Sequence, residues 1–277
     1  IPVRMGTLTA LTGSEHLSAV TVADNLLPVG DVPMTIFPLT VENGADYPLS
    51  ADAGNALLSL FAFNPDRHRL TAQSVVEPHG SLTLSRARMT FAASRDGGIP
   101  IASFLEDGKD VRDIGIYDIL TAAATFADRL RAIDTANFGG AATPFLKGFY
   151  KDGDGYTVRF GLLYDGIELC GAALPDFLTL TASGGMFTAV EVRRICAVRE
   201  GTSLTLFPAS WQYAAAAAHT DGGELRRLRL LYAVDTVPAA CDAGWYCDRT
   251  PYDAETAKAV QMNYAAYRSG TESGAAK

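Results

Sequence analysis

Histidine is scarce in this chain. His16, His68, His79 and His219 are the only four in 277 residues, and none adjoins a G-x-S-x-G elbow. The pairing of a hydroxyl or thiol with a nearby base, which nucleophilic catalysis requires, therefore has no local signature. His79-Gly80-Ser81 follows Pro78 and reads as a turn at a strand entry. Cysteine is equally sparse. Cys170, Cys196, Cys241 and Cys247 contain no C-x-x-C pair, which argues against a zinc site built on short paired spacings. Cys170 and Cys196 lie in apolar runs and read as buried thiols. Cys241 and Cys247 bracket a short loop that a disulfide closes if the Cα atoms come within bonding reach. The competing reading is two ordinary thiols in a reducing compartment.

Long apolar runs are missing too. None approaches the roughly 18 residues of a spanning helix, so no membrane-spanning helix is expected, and a transmembrane β-barrel stays as a weaker alternative. Basic charge is low, with 23 Lys and Arg against 31 Asp and Glu and a net charge of −8. Neither nucleic acid nor an anionic membrane is expected as the main partner, since both reward clustered cations. The densest cluster, Arg226, Arg227 and Arg229, is interleaved with Leu225, Leu228 and Leu230, as on the solvent face of a strand. Nucleotide fingerprints of the G-x-x-x-x-G-K-[ST] and G-x-G-x-x-G kinds do not occur. Lys151-Asp-Gly-Asp-Gly155 lacks the further acids of an EF-hand loop, and Asp107, Asp110 and Asp113 read as a solvated loop with helix capping. No cofactor, metal or catalytic residue is assigned. The start, Ile1-Pro-Val-Arg4, shows no signal-peptide pattern and no initiator Met. That fits a removed leader or initiator, and it leaves the compartment open, with virion or extracellular placement favoured over cytoplasmic.

What the chain has is turns. Six Asp-Gly pairs, beginning at Asp96, Asp107, Asp152, Asp154, Asp165 and Asp221, mostly separate strand-like segments, and this pair suits tight hairpins because both residues accept left-handed backbone angles. Asn43-Gly44 and Asp52-Ala-Gly54 add further turn signals. Expected strands include Arg69–Glu77, Ser81–Ser94 with a bulge near Ser85, and Phe145–Tyr150. The expectation continues with alternating Tyr156, Val158 and Phe160, then Thr188–Val198, Thr202–Phe207, Trp211–Ala218 and Leu225–Val234. Leu57–Phe63 is strand or buried helical turn. One helix is clear: Ile116, Leu120, Ala123, Ala127 and Leu130 form a stripe, widened by Ile119, Phe126 and Ile133, with Asp113 or Asp118 at its start and its end before Gly139-Gly140. A second is expected near the C-terminus, capped by Asp253, with Ala257, Val260, Tyr264 and Tyr267 on one face.

The fold class is therefore mainly β, an antiparallel β-sandwich or jelly-roll-like domain with one central and one C-terminal α-helix, with α+β as the alternative. Residues 1–50 read as a Pro-punctuated arm, 51–268 as the globular body with a division near 139–140 as an option, and 269–277 as a flexible tail. The functional expectation is a non-enzymatic structural or assembly subunit, such as a virion, tail, pilus or surface component, whose partners are proteins, chiefly copies of itself. Pro33, Phe37, Pro38, Tyr252, Tyr264 and Tyr267 are its contact candidates. The alternative is a carbohydrate-binding or carbohydrate-active β-sandwich with a groove lined by Trp245, Tyr246, Asp242 and Asp248.

Overall fold

The computed structural model of the protein describes residues 34–44, 51–68, 74–105, 114–133, 142–206, 225–241, 243–249 and 260–262. In chain order its first half contains β1 (Met34–Ile36), β2 (Leu39–Asn43), α1 (Ala51–Leu60), β3 (Ser74–Glu77), β4 (Gly80–Leu84), β5 (Arg88–Ala93), β6 (Ile99–Pro100), a 3-10 turn (Ile101–Phe104) and α2 (Ile116–Ile133). The second half is strand throughout: β7 (Ala142–Asp152), β8 (Gly155–Tyr164), β9 (Ile167–Cys170), β10 (Leu178–Ser183), β11 (Met186–Arg193), β12 (Ile195–Arg199), β13 (Leu204–Leu206), β14 (Leu225–Ala233), β15 (Ala239–Cys241), β16 (Ala243–Arg249) and β17 (Val260–Met262). Over the described residues the protein is mainly antiparallel β with two α-helices.

Two compact units share these elements. The larger comprises Leu39–Arg199 and Val234–Cys241, and the smaller Ile1–Pro38, Glu200–Ala233 and Asp242–Lys277. Both sides of Gly139-Gly140 belong to the larger unit. Its main sheet runs β9-β8-β10-β11-β5-β4-β3, with β6 beside β11 and β7 along β8. A second sheet, β12-β2-β15, has β2 at its centre. The smaller unit holds the β1-β13 pair and the β14-β16-β17 ladder.

Hairpin chemistry sets much of this order. Asp165 and Gly166 both have positive φ, 49° and 82°, between the paired ends Tyr164 and Ile167, as a type I′ turn requires. The two pairs at 152–155 make one turn: Asp152 faces Gly155, and Gly153, at φ 58°, occupies the first corner. Gly184 and Gly185 do the same work between β10 and β11. Along β8, Val158, Phe160, Leu162 and Tyr164 are buried and face the core in one phase. On it lie Phe61, Phe63, Phe91, Phe104, Phe126 and Phe187, whose rings make tilted and edge-on contacts such as Phe61 to Phe126 at 5.4 Å.

Several expectations are corrected. Of the two readings of Leu57–Phe63 the helical one holds, Leu57 to Leu60 being the last turn of α1 and Phe61 to Phe63 following its end, while Asp52-Ala-Gly54 lies inside that helix rather than in a turn. Gly54, Leu57, Leu58 and Leu60 are buried there, so tertiary packing outweighs the roughly 1 kcal/mol that glycine costs a helix. The helix closes in a Schellman arrangement: Phe63 N–H donates to Leu58 O at 2.9 Å and Ala62 N–H to Ser59 O at 3.0 Å, with Ala62 left-handed at φ 63°. An exposed alanine in that conformation is strained. Ala62→Gly is expected to raise unfolding stability by about 1 kcal/mol, measured as a higher urea midpoint with unchanged slope.

Ser81–Ser94 is not one bulged strand but the hairpin β4–β5, with Leu84 opposite Met89. Likewise Thr188–Val198 is two strands broken at Arg194, with β11 in the main sheet and β12 in the other. Asn43 ends β2, and Gly44 N–H donates to Arg194 O at 2.9 Å. In the Pro-punctuated segment Pro38 lies between β1 and β2, and Leu39 and Val41 of the central β2 are fully buried. In α2 the buried stripe is Ile119, Ala122, Ala123, Phe126, Ala127 and Leu130, while Ile116 is 46% exposed. Asp118 supports its start by accepting from Gly115 N–H at 2.8 Å. Val260–Met262 is strand, pairing β16, where helix was expected. The remainder of that expected helix, Trp211–Ala218 and the Asp107 and Asp221 turns lie outside the described residues. Cys241 is buried at the end of β15. No helix among the described residues is long and apolar enough to cross a membrane.

Candidate functional site

Strand β7 is the longest element of the main sheet, and among the described residues it pairs with β8 alone. Its first half carries two features that discourage further pairing. Pro144 has no N–H, and the register slips between Leu146 and Gly148, leaving Lys147 as the extra residue of a bulge. Beyond the bulge, Gly148 to Asp152 runs regularly opposite Arg159 to Gly155. The exposed apolar side chains of this strand are Leu146 and Tyr150, at 50% and 52%. The bulge separates them: Leu146 is across from Phe160, which is buried on the core side, whereas Tyr150 is across from Thr157 on the other face. There the Arg159 guanidinium sits 5.2 Å from the Tyr150 ring centre. Tyr150 also lies over Gly148, where a Cβ would meet its ring at 2.5 Å.

The bulge re-aims Lys147. Its Nζ donates to Pro175 O at 2.5 Å, reaches Cys170 Sγ at 3.4 Å, and lies 3.4 Å from Glu168 and 3.9 Å from Asp176. Asp176 also receives Arg159 at 3.7 Å. Burial pulls the Lys147 ammonium down, but Cys170, Glu168 and Asp176 around it outweigh that and hold it above the ordinary lysine value. The cluster thus ties the bulge to β9 and to the 171–177 connection.

A second constellation escaped the sequence reading. Glu77 receives His68 Nε2 at 2.9 Å and Asn64 N–H at 3.0 Å, with His79 Nδ1 at 3.8 Å. His79 is held by Phe61 O at 3.1 Å and packs on Phe63 at 4.5 Å. Pro78-His79 is the two-residue turn of the β3–β4 hairpin, as expected for that tripeptide. Among the described residues no three His, Cys, Asp or Glu side chains form a metal-holding group, this trio included. The Asn64 N–H, opposed by desolvation and helped by His68 and His79, holds the Glu77 carboxyl below its usual 4.5. A depressed carboxyl stabilises the fold above about pH 4.5, and that contribution disappears as pH falls through the lower folded value. Glu77→Gln is therefore expected to flatten the acid limb of the stability curve below pH 4.5, followed by urea unfolding at successive pH values.

No protein-family model matches this chain. No curated protein sequence matches it either. Among solved structures, the Bacillus megaterium YpeB C-terminal domain is similar at 11% identity and a TM-score of 0.35, covering 79% of this chain and all of that one. A superposition that loose leaves the functional reading to the chain's own residues.

The remaining sequence candidates are spread through the smaller unit. Phe37 O accepts from the buried Tyr232 hydroxyl at 2.9 Å, and Pro38 O from Glu200 N–H at 2.9 Å, so this stretch of backbone is tied down. Trp245, Tyr246 and Asp248 lie on β16, which is paired on both edges. Pro33, Asp242, Tyr252, Tyr264 and Tyr267 lie outside the described residues.

Proposed function

We propose that this protein is a non-enzymatic assembly subunit, of the virion, tail, pilus or surface-layer kind, that associates with copies of itself by adding β7 to β7 through Gly148–Asp152. The observation that carries this reading is a regular half-strand with one edge unoccupied among the described residues, placed beyond a bulge and a proline that protect the other half. An antiparallel pairing centred on Tyr150 sets Tyr150 against its own copy, Phe149 against Lys151, and Gly148 against Asp152. No like charges face each other in that register. Both tyrosine rings enter already oriented by Arg159, which lowers the cost of ordering them. Five residues of ladder make a small interface, so the dimer is weak, with a Kd of about 10 to 100 µM.

Sedimentation velocity from micromolar to millimolar concentration tests this. Wild type is expected to shift from monomer to dimer, and Tyr150→Lys, which places two cations opposite each other, is expected to weaken association about tenfold. A monomer throughout the range, or a dimer indifferent to Tyr150→Lys, would contradict it.

A further inference from the structure

At the turn end of the β7–β8 hairpin, the larger unit contains a cleft of about 360 Å³ between the start of α2, the 3-10 turn and the end of the β10–β11 hairpin. That volume lies within the range of small-ligand sites. Its floor and walls are apolar: Ile101, Ile119 and Ala182 are buried, and Ile114 and the Tyr156 ring complete them. Phe149 stacks on Tyr156 at 5.1 Å and nearly parallel, which fixes that ring. The rim holds one charged group, the Asp154 carboxylate, together with Ser183 and the backbone of Gly184-Gly185.

The sign of charge that suits this cleft follows from what is already satisfied. A helix start ordinarily attracts anions through its free N–H groups. Here Gly115 N–H is already taken by Asp118 Oδ2 at 2.8 Å. Asp154 stands on the turn at the rim and is the one charged side chain that lines the cleft. A carboxylate over an apolar floor favours a cation whose body is hydrophobic and disfavours an acid of the same shape.

We propose that this cleft binds a small primary ammonium carried on an apolar or aromatic stem, with the ammonium donating to Asp154 and the stem resting on Ile101, Ile119 and Tyr156. The site is open to solvent on one side. A ligand of about nine heavy atoms is thus expected to bind with a Kd of about 1 mM.

Isothermal titration of the full chain with phenethylammonium, 2-phenylethanol and phenylacetate provides the test. The ammonium is expected to saturate one site, with the alcohol about tenfold weaker and the acid weaker still. Asp154→Asn, a surface-turn change that leaves the apolar walls intact, is expected to remove the preference for the ammonium over the alcohol. Ser183→Trp, which fills the mouth, is expected to abolish binding of both. No saturable heat with the ammonium, equal affinity for the alcohol, or a preference retained in Asp154→Asn would each overturn the proposal. The titration reads ligand heat and the sedimentation reads association without ligand, so failure here is separate from failure of the β7 dimer.

Discussion

Replacing Arg194 with alanine is expected to cost about 3 kcal/mol of unfolding stability, a large share of the roughly 5 to 15 kcal/mol available to a domain. Arg194 is fully buried at the point where the chain leaves β11 for β12. Its Nη1 donates to Ser85 O at 2.9 Å, its N–H to Ala87 O at 2.9 Å, and its carbonyl accepts from Gly44 N–H at 2.9 Å. Backbone bonds survive the substitution; the guanidinium bond and the volume do not. Alanine therefore leaves a cavity beside a carbonyl of the β4–β5 turn. Methionine restores most of the volume without the donor, so Arg194→Met is expected to lose only about 1 to 2 kcal/mol. Urea denaturation separates the two, and amide exchange at Leu84 to Met89 should accelerate in both. Equal stability of wild type and Arg194→Ala would show that the turn does not depend on this anchor.

Lys147→Met is expected to be comparably damaging, at about 3 kcal/mol, because it removes the cation that Glu168 and Asp176 share, with Arg159 remaining 3.7 Å from Asp176. The side chain is 25% exposed, so water offsets part of the loss. In a Glu168→Gln background the same change should cost clearly less, and the difference in a double-mutant cycle measures the pair. The pH dependence has a defined sign. A lysine raised above 10.5 contributes stability that is complete below about that value and vanishes as pH climbs through the folded value. Wild type should therefore lose stability above pH 10.5 where Lys147→Met does not.

The same two residues explain why part of the fold was readable and part was not. Hairpins marked by Asp-Gly pairs at 152–155 and 165–166 were legible because those residues make their own turn geometry. The β4–β5 turn has no glycine, proline or asparagine. It is held instead by the Ser85 hydroxyl, which donates to Arg88 O, and by Arg194, 109 positions away. From sequence alone its phase change looks like a bulge. The helix α1 was obscured by Gly54 and by a left-handed alanine where glycine is usual. Site residues were harder still. Lys147 gains its partners only because a bulge turns it, and His68, Glu77 and His79 meet only because the 61–68 segment after α1 lies against the β3–β4 turn. Neither arrangement has a spacing signature.

Assembly through the second half of β7 is the central functional claim, and hydrogen exchange on that strand tests it most directly. Amides of Gly148 to Asp152 are to be followed by mass spectrometry at about 5 µM and about 1 mM, either side of the expected Kd. Protection confined to this stretch and rising with concentration, and absent in Tyr150→Lys, is the expected result. Exchange on Gly148 to Asp152 that is the same at both concentrations would contradict it.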